Sequence, residues 1–373
     1  MRTFIHQRSE WPQFHWNQEH LSNLLAQVRH EQGRLIGRVE SLGFPLRVEA
    51  ELKTLTQDIL KSSEIEGEIL DLDQVRSSVA RRLGLDVGGL EQIDRHVEGL
   101  VEMVLDATHR YQEPLTKERL FDWQAAMFPT GRSGMSRIRV GAWRDDDKGP
   151  MQVVSGPIGR EKVHFEAPAA ERIEEEMSAF LDWLESDKPT DPVLVAGLAH
   201  LWFVTIHPFE DGNGRLARAI TDMTLARSEK SHQRFYSMST QIRQERQDYY
   251  LILESTQSGS LDITRWLVWF LECLSRAMHG AQATLSSVIE KAEFWNNLTT
   301  ELNPRQKRML NLMLDSKFHG KLTTSKWAKM TKCSQDTAHR DILQLLEAGA
   351  LQKDPGGGRS TSYSLVSAQD RTG

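Results

Sequence analysis

One stretch of twelve residues, HPFEDGNGRLAR from His207 to Arg218, holds the residue types that phosphate chemistry needs. It brings together an imidazole, a carboxylate, two glycines, an amide and two guanidiniums. Glycines let a loop turn successive N–H groups towards one point, and the start of a helix favours an anion. The stretch therefore indicates a site for a polyphosphate with a metal ion, and it is the candidate reaction centre of the chain.

Each polar side chain of this stretch suits one task. His207 can take a proton from a hydroxyl near neutral pH, and Asp211 offers a hard oxygen ligand to Mg²⁺. Asn213 can donate to a phosphate oxygen, while Arg215 and Arg218 can grip the outer phosphates. Taken singly, such residues are more typical of a turn or a solvated surface. Together they favour an anionic ligand, because two arginines at a helix N-terminus oppose its dipole.

Helical periodicity supplies the scaffold for this site. Apolar residues recur at spacings of three and four in five segments. These segments are Leu46–Glu66, Arg95–His109, Lys117–Met127, Ala169–Glu185 and Pro192–Ile206. The last is apolar all round, so it predicts a buried helix that ends just before His207, with a second helix starting near Gly214. Met151–Ser155 and Lys162–Phe165 predict a hairpin, the only clear β element before the C-terminal tail.

The twelve residues resemble the signature of the Fic (filamentation induced by cAMP) family, His-Pro-Phe-x-Asp/Glu-Gly-Asn-Gly-Arg-x-x-Arg, at every specified position. The resemblance implies a mainly α fold with a helical core and a β-hairpin flap that docks the target. It also implies transfer of AMP from ATP to a Ser, Thr or Tyr hydroxyl of a target protein or of the chain itself, with His207 as general base and Asp211 holding Mg²⁺. Glycine at position 214, where a phosphate-transferring relative has lysine, favours nucleotidyl transfer.

The same resemblance assigns the remaining residues of the signature. The phosphates would lie against four residues of the loop and helix start, and the γ-phosphate would meet Arg218. The four are Gly212, Asn213, Gly214 and Arg215. The adenine would lie near Tyr249 or Tyr250, although a tyrosine pair heading a helix is also typical of core packing. Whether the physiological direction is addition or removal of AMP stays open.

A second motif lies upstream, at Ser62-Ser63-Glu64-Ile65-Glu66-Gly67. It resembles the Ser/Thr-x-x-x-Glu-Gly/Asn motif of the inhibitory helix in autoregulated Fic proteins, in the class that carries this helix N-terminally. Ser62 and Glu66 are one helical turn apart, and Glu66 can pair with Arg218 in a bidentate bond where the γ-phosphate would lie. The alternative is a glutamate on a solvated helix end, and Glu64 and Glu68 lie close to the proposed residue. Trp11–Trp16 and Arg34–Leu85 resemble the N-terminal extension of certain bacterial members.

The C-terminal tail differs from the rest of the chain in charge. From Asn303 onwards it has twelve Lys or Arg against six Asp or Glu, whereas the whole chain carries −6. Helices at Pro304–Asp315, Thr323–Met330 and Ser334–Gly349, followed by a strand, a turn and a strand, resemble a winged helix-turn-helix. Candidate DNA contacts lie at the front of the third helix and on the wing: Gln335, Asp336, Thr337, His339, Arg340 and Arg359. The alternatives are binding of a protein and formation of a homodimer.

Composition and length limit the remaining choices. Two cysteines in 373 residues favour neither a disulfide framework nor a metal knuckle, and no segment has the apolar run of a signal peptide or a membrane span. We therefore expect a cytoplasmic protein without a membrane partner. The expected domains are 1–90, an extension with the inhibitory motif; 91–280, the catalytic core; 281–302, a connecting helix; and 303–373, the winged helix. The function expected is an autoinhibited adenylyltransferase. The alternative is a nucleotide-sensing, winged-helix DNA-binding regulator, which would need no base at His207.

Overall fold

A computed structural model describes the chain except for residues 1–2, 86–92, 148, 157–159, 161, 299, 315–317, 319, 356–360 and 367–373. The described residues are mainly helical, with three two-stranded ribbons. They form two compact units, Met1–Gln282 and Ala283–Gly373. None of the described helices is long and apolar enough to cross a membrane.

The first unit contains most of the helices. They are α1 (Gln18–Glu40), α2 (Phe44–Ile65), α3 (Leu72–Arg82), α4 (Arg95–His109), α5 (Lys117–Met127), α6 (Ile173–Glu185), α7 (Pro192–Ile206), α8 (Asn213–Glu229), α9 (Met238–Gln244) and α10 (Arg246–Gln257). The long helix α11 (Thr264–Asn296) follows. It runs across the domain boundary expected at 280, so residues 281–296 continue this helix.

The centre of the unit is the pair α7 and α8. Every residue of α7 from Val193 to Ile206 is buried, as the all-round apolar pattern predicts. Asp191 caps its start by accepting from the Val193 N–H at 2.8 Å, and Pro192 occupies the first turn, where its missing N–H is not needed. A rigid buried helix therefore leads directly into the candidate reaction centre.

Helix α2 packs mainly against α3 and α9, and it also contacts α4 and α8, through one apolar face. Leu52, Leu55 and Ile59 are each at most 2% exposed, which fits the three- and four-residue spacing of its sequence. The helix ends at Ile65, with Glu66 as its C-cap. The upstream motif therefore lies at the end of a helix held firmly against the core.

Two antiparallel ribbons belong to the first unit. The predicted hairpin is β3 (Gln152–Ser155) paired with β4 (Lys162–Glu166), and three of the four residues of its expected turn lie outside the described residues. It is not the only β element before the tail, because β1 (Arg132–Ser133) pairs with β2 (Ser136–Arg137). Strands of two residues are too short for apolar alternation, so the sequence pattern gives no sign of this ribbon.

The second unit has its own core. It contains α12 (Pro304–Leu314), α13 (Thr324–Thr331), α14 (Gln335–Glu347), β5 (Leu351–Lys353) and β6 (Tyr363–Leu365). Trp327, Ile342 and Leu345 are fully buried within it, and Ser334 caps α14 by accepting from the Thr337 N–H at 3.2 Å. The predicted helices and strands of the tail are present within one or two residues. The wing candidate Arg359 lies outside the described residues.

Candidate active site

His207 stands at the point where α7 ends. Its backbone is left-handed, with φ 53° and ψ 58°, and its N–H still donates to the Phe203 carbonyl at 3.0 Å. This conformation is uncommon for a residue other than glycine. It turns the chain sharply out of the helix, so that Pro208 starts the loop.

The imidazole of His207 is set up to be neutral. Burial is the main cause that lowers its pKa to about 4, and the positive charge of the nearby Arg144 lowers it further. The contact of 3.3 Å between Nδ1 and the Val204 carbonyl acts in the opposite direction and raises the pKa. A carbonyl only accepts, so Nδ1 carries the proton and Nε2 keeps its lone pair. Near neutral pH the ring therefore offers a free basic nitrogen.

Arg144 fixes the backbone around this histidine. In the side chain, Nε donates to the His207 carbonyl at 2.8 Å and Nη1 pairs with Asp146 at 2.7 Å. The backbone N–H of Arg144 donates to the Pro208 carbonyl at 2.9 Å. The side chain is fully buried. Sequence reasoning did not single out Arg144, because nothing marks one arginine among the charged residues of its segment.

Asn213 and Phe209 close the loop on itself. Oδ1 of Asn213 accepts from the Phe209 N–H at 3.0 Å, and Nδ2 donates to the Phe209 carbonyl at 2.8 Å. The Phe209 ring is fully buried and anchors the loop in the core. The side chain of Asn213 is thus placed inside the loop as a brace, and the phosphate contact expected of it stays a prediction.

The two glycines of the loop are needed for different reasons. Gly212 has φ +91°, and a Cβ there would also lie 2.9 Å from the Met127 side chain. Gly214 lies in the first turn of α8, and a Cβ there would lie 2.2 Å from a carboxylate oxygen of Glu66. Glycine at 214 therefore gives Glu66 the room to reach the N-terminus of α8, where an anion is favoured.

Glu66 and Ser62 together hold Arg218. Oε1 of Glu66 lies 2.9 Å from Nη2 of Arg218, and Ser62 accepts from Nε through its hydroxyl and from Nη2 through its carbonyl, each at 2.9 Å. The predicted pairing of Glu66 with Arg218 is present. It is not bidentate, because the carboxylate contacts Nη2 alone, while Nε donates to Ser62.

One donor of Arg218 is left over. Among the residues that the structure describes, its Nη1 is buried without a hydrogen-bond partner, and it lies 3.2 Å from the position of a Cβ at Gly214. A buried donor without a partner costs free energy, on the order of 1–3 kcal/mol. The unused donor faces the start of α8, where an anionic ligand would satisfy it.

Arg215 has a different carboxylate as its partner. Its Nη1 donates to Oε2 of Glu68 at 2.8 Å, and Oε1 of Glu68 lies 2.6 Å from Nε2 of His96. The contact with the Glu68 carboxylate, which accepts from the imidazole, raises the pKa of His96. Sequence reasoning noted Glu68 only as a neighbour of Glu66, and it missed His96 altogether.

Both carboxylate oxygens of Asp211 are held by neighbouring donors. Its Oδ1 accepts from the Gly212 N–H at 2.6 Å, and its Oδ2 accepts from the Ser133 hydroxyl on β1. No group of three or more His, Cys, Asp or Glu in the described part of the chain could hold a metal ion on its own. A single oriented carboxylate fits Mg²⁺, which prefers one or two carboxylates together with substrate phosphates.

The two tyrosines expected near the adenine are placed differently. Tyr249 is 2% exposed, its hydroxyl lies 2.9 Å from Nε2 of His200, and its ring packs against Trp269. It belongs to the core, and its expected adenine contact stays a prediction. Tyr250 is 37% exposed and remains a candidate, with the Arg246 guanidinium 5.1 Å from its ring centre.

A cavity of about 660 Å³ opens beside the loop, lined in part by Asp211, Arg215, Glu68 and His96. The loop and the start of α8 bring the two arginines close to a histidine whose pKa is lowered to about 4. This defines the class of site: an anion-binding helix N-terminus with a base, partly filled by carboxylates of the same chain.

Comparison with known proteins identifies the domain. Residues 114–225 match the Fic/DOC family, and residues 4–85 match a domain of unknown function, DUF4172. The chain therefore contains a Fic/DOC family domain, and the candidate reaction centre at 207–218 lies within it.

Curated relatives carry the name protein adenylyltransferase Fic. The protein from Nematostella vectensis is 37% identical over 113 residues, 30% of this chain and 25% of that protein. The protein from Culex quinquefasciatus is 26% identical over 266 residues, 70% of this chain and 48% of that protein. This chain thus spans at most about half the length of these relatives.

The fold is also found in a solved structure. A Fic family protein from Desulfovibrio desulfuricans G20 aligns with a TM-score of 0.54 and 21% sequence identity, over 94% of this chain and 97% of that one. At this identity the likeness concerns the fold alone.

Proposed function

We propose that the protein is an autoinhibited adenylyltransferase that transfers AMP from ATP to a Ser, Thr or Tyr hydroxyl of a target protein or of itself. The observation that carries the proposal is the position of Glu66. Its carboxylate lies at the N-terminus of α8 and pairs with Arg218, beside a base that is neutral near pH 7. The names of the curated relatives support the reaction class.

The residues divide the chemical work as follows. Nε2 of His207 takes the proton of the attacking hydroxyl, and the hydroxyl oxygen forms a bond to the α-phosphorus as pyrophosphate leaves. The first N–H groups of α8 have no acceptor within the helix and can stabilise charge on the phosphate oxygens. Arg215 and Arg218 neutralise the outer phosphates, so positioning and charge stabilisation account for most of the catalysis.

A magnesium ion fits this scheme at Asp211. Bound there with the nucleotide, it would neutralise negative charge on the phosphates. Ser133 and the Gly212 N–H hold the two oxygens of the Asp211 carboxylate in place. These two contacts orient the Asp211 carboxylate before any nucleotide binds.

Inhibition follows from charge and space. A carboxylate at the start of α8 repels the phosphates that this helix end favours, and it occupies Nη2 of Arg218. ATP would bind weakly or with its phosphates displaced. Removal of the Glu66 side chain would free the space beside Gly214 and remove the carboxylate from Arg218, which Ser62 would still hold.

Labelled ATP tests the proposal. We expect Glu66→Gly to transfer label from α-labelled but not γ-labelled ATP to protein, at a rate at least tenfold above the parent protein, and His207→Ala in that background to abolish transfer. Glu64→Gly is the matched control: Glu64 lies two residues away but pairs with Lys61 and Arg243, so its loss should leave the rate unchanged. Absence of α-label with both parent and Glu66→Gly would refute the enzyme and favour the nucleotide-sensing regulator.

A second candidate function concerns the C-terminal unit. Four residues at the front of α14 are exposed, and α13 and α14 pack as a helix pair before the β5–β6 ribbon. The four are Gln335, Asp336, His339 and Arg340. This arrangement supports DNA binding by residues 303–373. We expect a gel shift with duplex DNA that weakens with salt and with Arg340→Ala. Binding that persists without residues 303–373 would exclude this unit as the DNA contact.

A further inference from the structure

We propose that Glu68 is a second inhibitory carboxylate, which holds Arg215 away from the phosphates while His96 supports it from behind. The inference rests on the proposed function, because it concerns regulation of the same site. In this arrangement each arginine of the signature has its own carboxylate: Glu66 for Arg218, and Glu68 for Arg215.

The contact with Arg215 is close, and its arginine side is buried while the Glu68 side chain is 35% exposed. Oε2 of Glu68 lies 2.8 Å from Nη1 of Arg215, whose side chain is only 6% exposed, and the guanidinium lies 5.2 Å from the centre of the Phe128 ring. Among the described residues, Nε of Arg215 is buried without a hydrogen-bond partner. The guanidinium is therefore held in place by Glu68 but not satisfied, which is the state expected of an anion ligand before its anion arrives.

His96 fixes the other oxygen of the Glu68 carboxylate. Its Nε2 lies 2.6 Å from Oε1 of Glu68, and its Nδ1 lies 2.6 Å from the Met127 carbonyl. The contact with the Glu68 carboxylate raises the pKa of His96, so it favours the protonated ring. Glu68 therefore lies between Arg215 and His96, and removal of its side chain would leave these two residues facing each other.

One backbone turn delivers both carboxylates. The Gly67 N–H donates to the Glu64 carbonyl at 3.1 Å, and the Glu68 N–H donates to the Ser63 carbonyl at 3.0 Å, which is the pattern of a Schellman motif. Gly67 supplies the left-handed residue that this motif needs, with φ +85°. The end of α2 thus places Glu66 and Glu68 as a pair, and both contacts are lost if the turn opens.

The cavity beside the loop shows where the freed arginine would act. Arg215, His96, Arg95 and Arg132 line it together with Asp211, and about 660 Å³ is ample for a diphosphate group. While Glu68 holds Arg215, its carboxylate cancels charge on this wall. Without Glu68, the lining of the cavity loses one negative charge, while Glu66, Asp94 and Asp211 remain.

Nucleotide binding tests the inference apart from catalysis. We would measure the Kd of ATP with Mg²⁺, and of inorganic pyrophosphate, by calorimetry for the parent, Glu68→Ala, Glu66→Gly and the double variant. We expect Glu68→Ala to lower the Kd of ATP about fivefold, equivalent to about 1 kcal/mol, and the double variant to bind more tightly than Glu66→Gly. Glu64→Ala is the matched control on the same helix end. Glu68→Gln keeps the size of the side chain and should act in the same direction if the alanine variant unfolds.

A second measurement reports on the contact between His96 and Glu68. Because the contact with Glu68 raises the pKa of His96, Glu68→Ala should shift the NMR titration midpoint of the His96 ring downwards. Equal Kd values for Glu68→Ala, Glu68→Gln and Glu64→Ala would overturn the inference. If Glu68→Ala binds ATP more tightly while Glu66→Gly transfers no α-label, the proposed reaction is refuted but the inhibitory role of Glu68 stands. If Glu66→Gly transfers α-label while Glu68→Ala leaves the Kd of ATP unchanged, only the inhibitory role of Glu68 is refuted.

Discussion

At the scale of single residues, His207 is made a base by its surroundings. A free imidazole has a pKa of about 6.5 and is partly charged in the cell. Burial and the neighbouring Arg144 lower the pKa of His207 to about 4. A ring with this pKa is fully neutral near pH 7, and its Nδ1 contact with Val204 selects the tautomer that leaves Nε2 free.

This lowered pKa predicts an unusual pH profile. In the Glu66→Gly variant, at saturating ATP and metal, we expect the transfer rate to stay within about twofold between pH 7.5 and pH 5.5. An ordinary histidine would lose about nine tenths of its neutral form over the same range. The negative charge of Glu66 raises the pKa of His207, so removal of this carboxylate should move the midpoint lower still.

Direct titration provides the check. The His207 ring signal should show a midpoint near pH 4 by NMR, and a midpoint near 6.5 would contradict the argument. The folded pKa lies below that of an unfolded imidazole, so this residue also removes stability as the pH falls from about 6.5 towards 4. His200, whose pKa burial lowers to about 3, acts in the same direction.

The residues of the site were predictable to different degrees. The spacing of the signature pointed to His207, Asp211 and both arginines, because residue type and order alone define that pattern. Arg144 acts through backbone carbonyls of the loop, and it approaches from a segment more than 60 residues upstream. No local pattern encodes such a contact, since it exists only once α7 and its neighbours have packed.

At the scale of elements, the end of α2 positions two negatively charged side chains, Glu66 and Glu68. Helices commonly end with a glycine in the left-handed conformation. Here that glycine lies between two glutamates that reach two different arginines. Arg246 adds a further tie by donating to the Ile65 carbonyl at 2.8 Å, which binds α10 to the last turn of α2.

Gly67→Ala should therefore loosen the restraint. A Cβ at Gly67 meets nothing within 4 Å, so the cost comes only from the left-handed backbone at φ +85°, on the order of 1–2 kcal/mol. We expect a loss of that size in the free energy of unfolding, measured with urea, together with a rise in α-label transfer. Gly84 is a matched control, because it also has positive φ and open space at the end of α3, away from the loop. Equal rates of α-label transfer by Gly67→Ala and Gly84→Ala would contradict a role of the turn at Gly67 in inhibition.

Elements with a strong apolar period were predicted almost to the residue. Arg95–His109, Lys117–Met127 and Pro192–Ile206 are helices with the expected bounds. The β1–β2 ribbon was missed because two-residue strands of polar residues carry no period. It nevertheless supplies Ser133 to Asp211, so a functional contact came from an element invisible to periodicity.

At the scale of the whole molecule, the chain consists of two units with separate cores. All the residues assigned here to the reaction and its restraint lie within Met1–Gln282. The basic surplus of the tail lies in the second unit, which holds Trp327 and Ile342 in its own core. The change of charge noted at Asn303 lies within the second unit, whereas the boundary between the units falls inside the long helix α11, where charge gives no sign of it.

Truncation tests whether the units act independently. We expect residues 1–282 to keep α-label transfer in the Glu66→Gly background within about twofold of the full chain, because no assigned site residue is removed. Ending at Gln282 also avoids leaving Phe294, which is buried in the second core, without its partners. Cooperative thermal unfolding of the truncated chain is the control for folding. If a cooperatively folded truncated chain lost transfer, the second unit would have to contribute to the reaction or to its restraint.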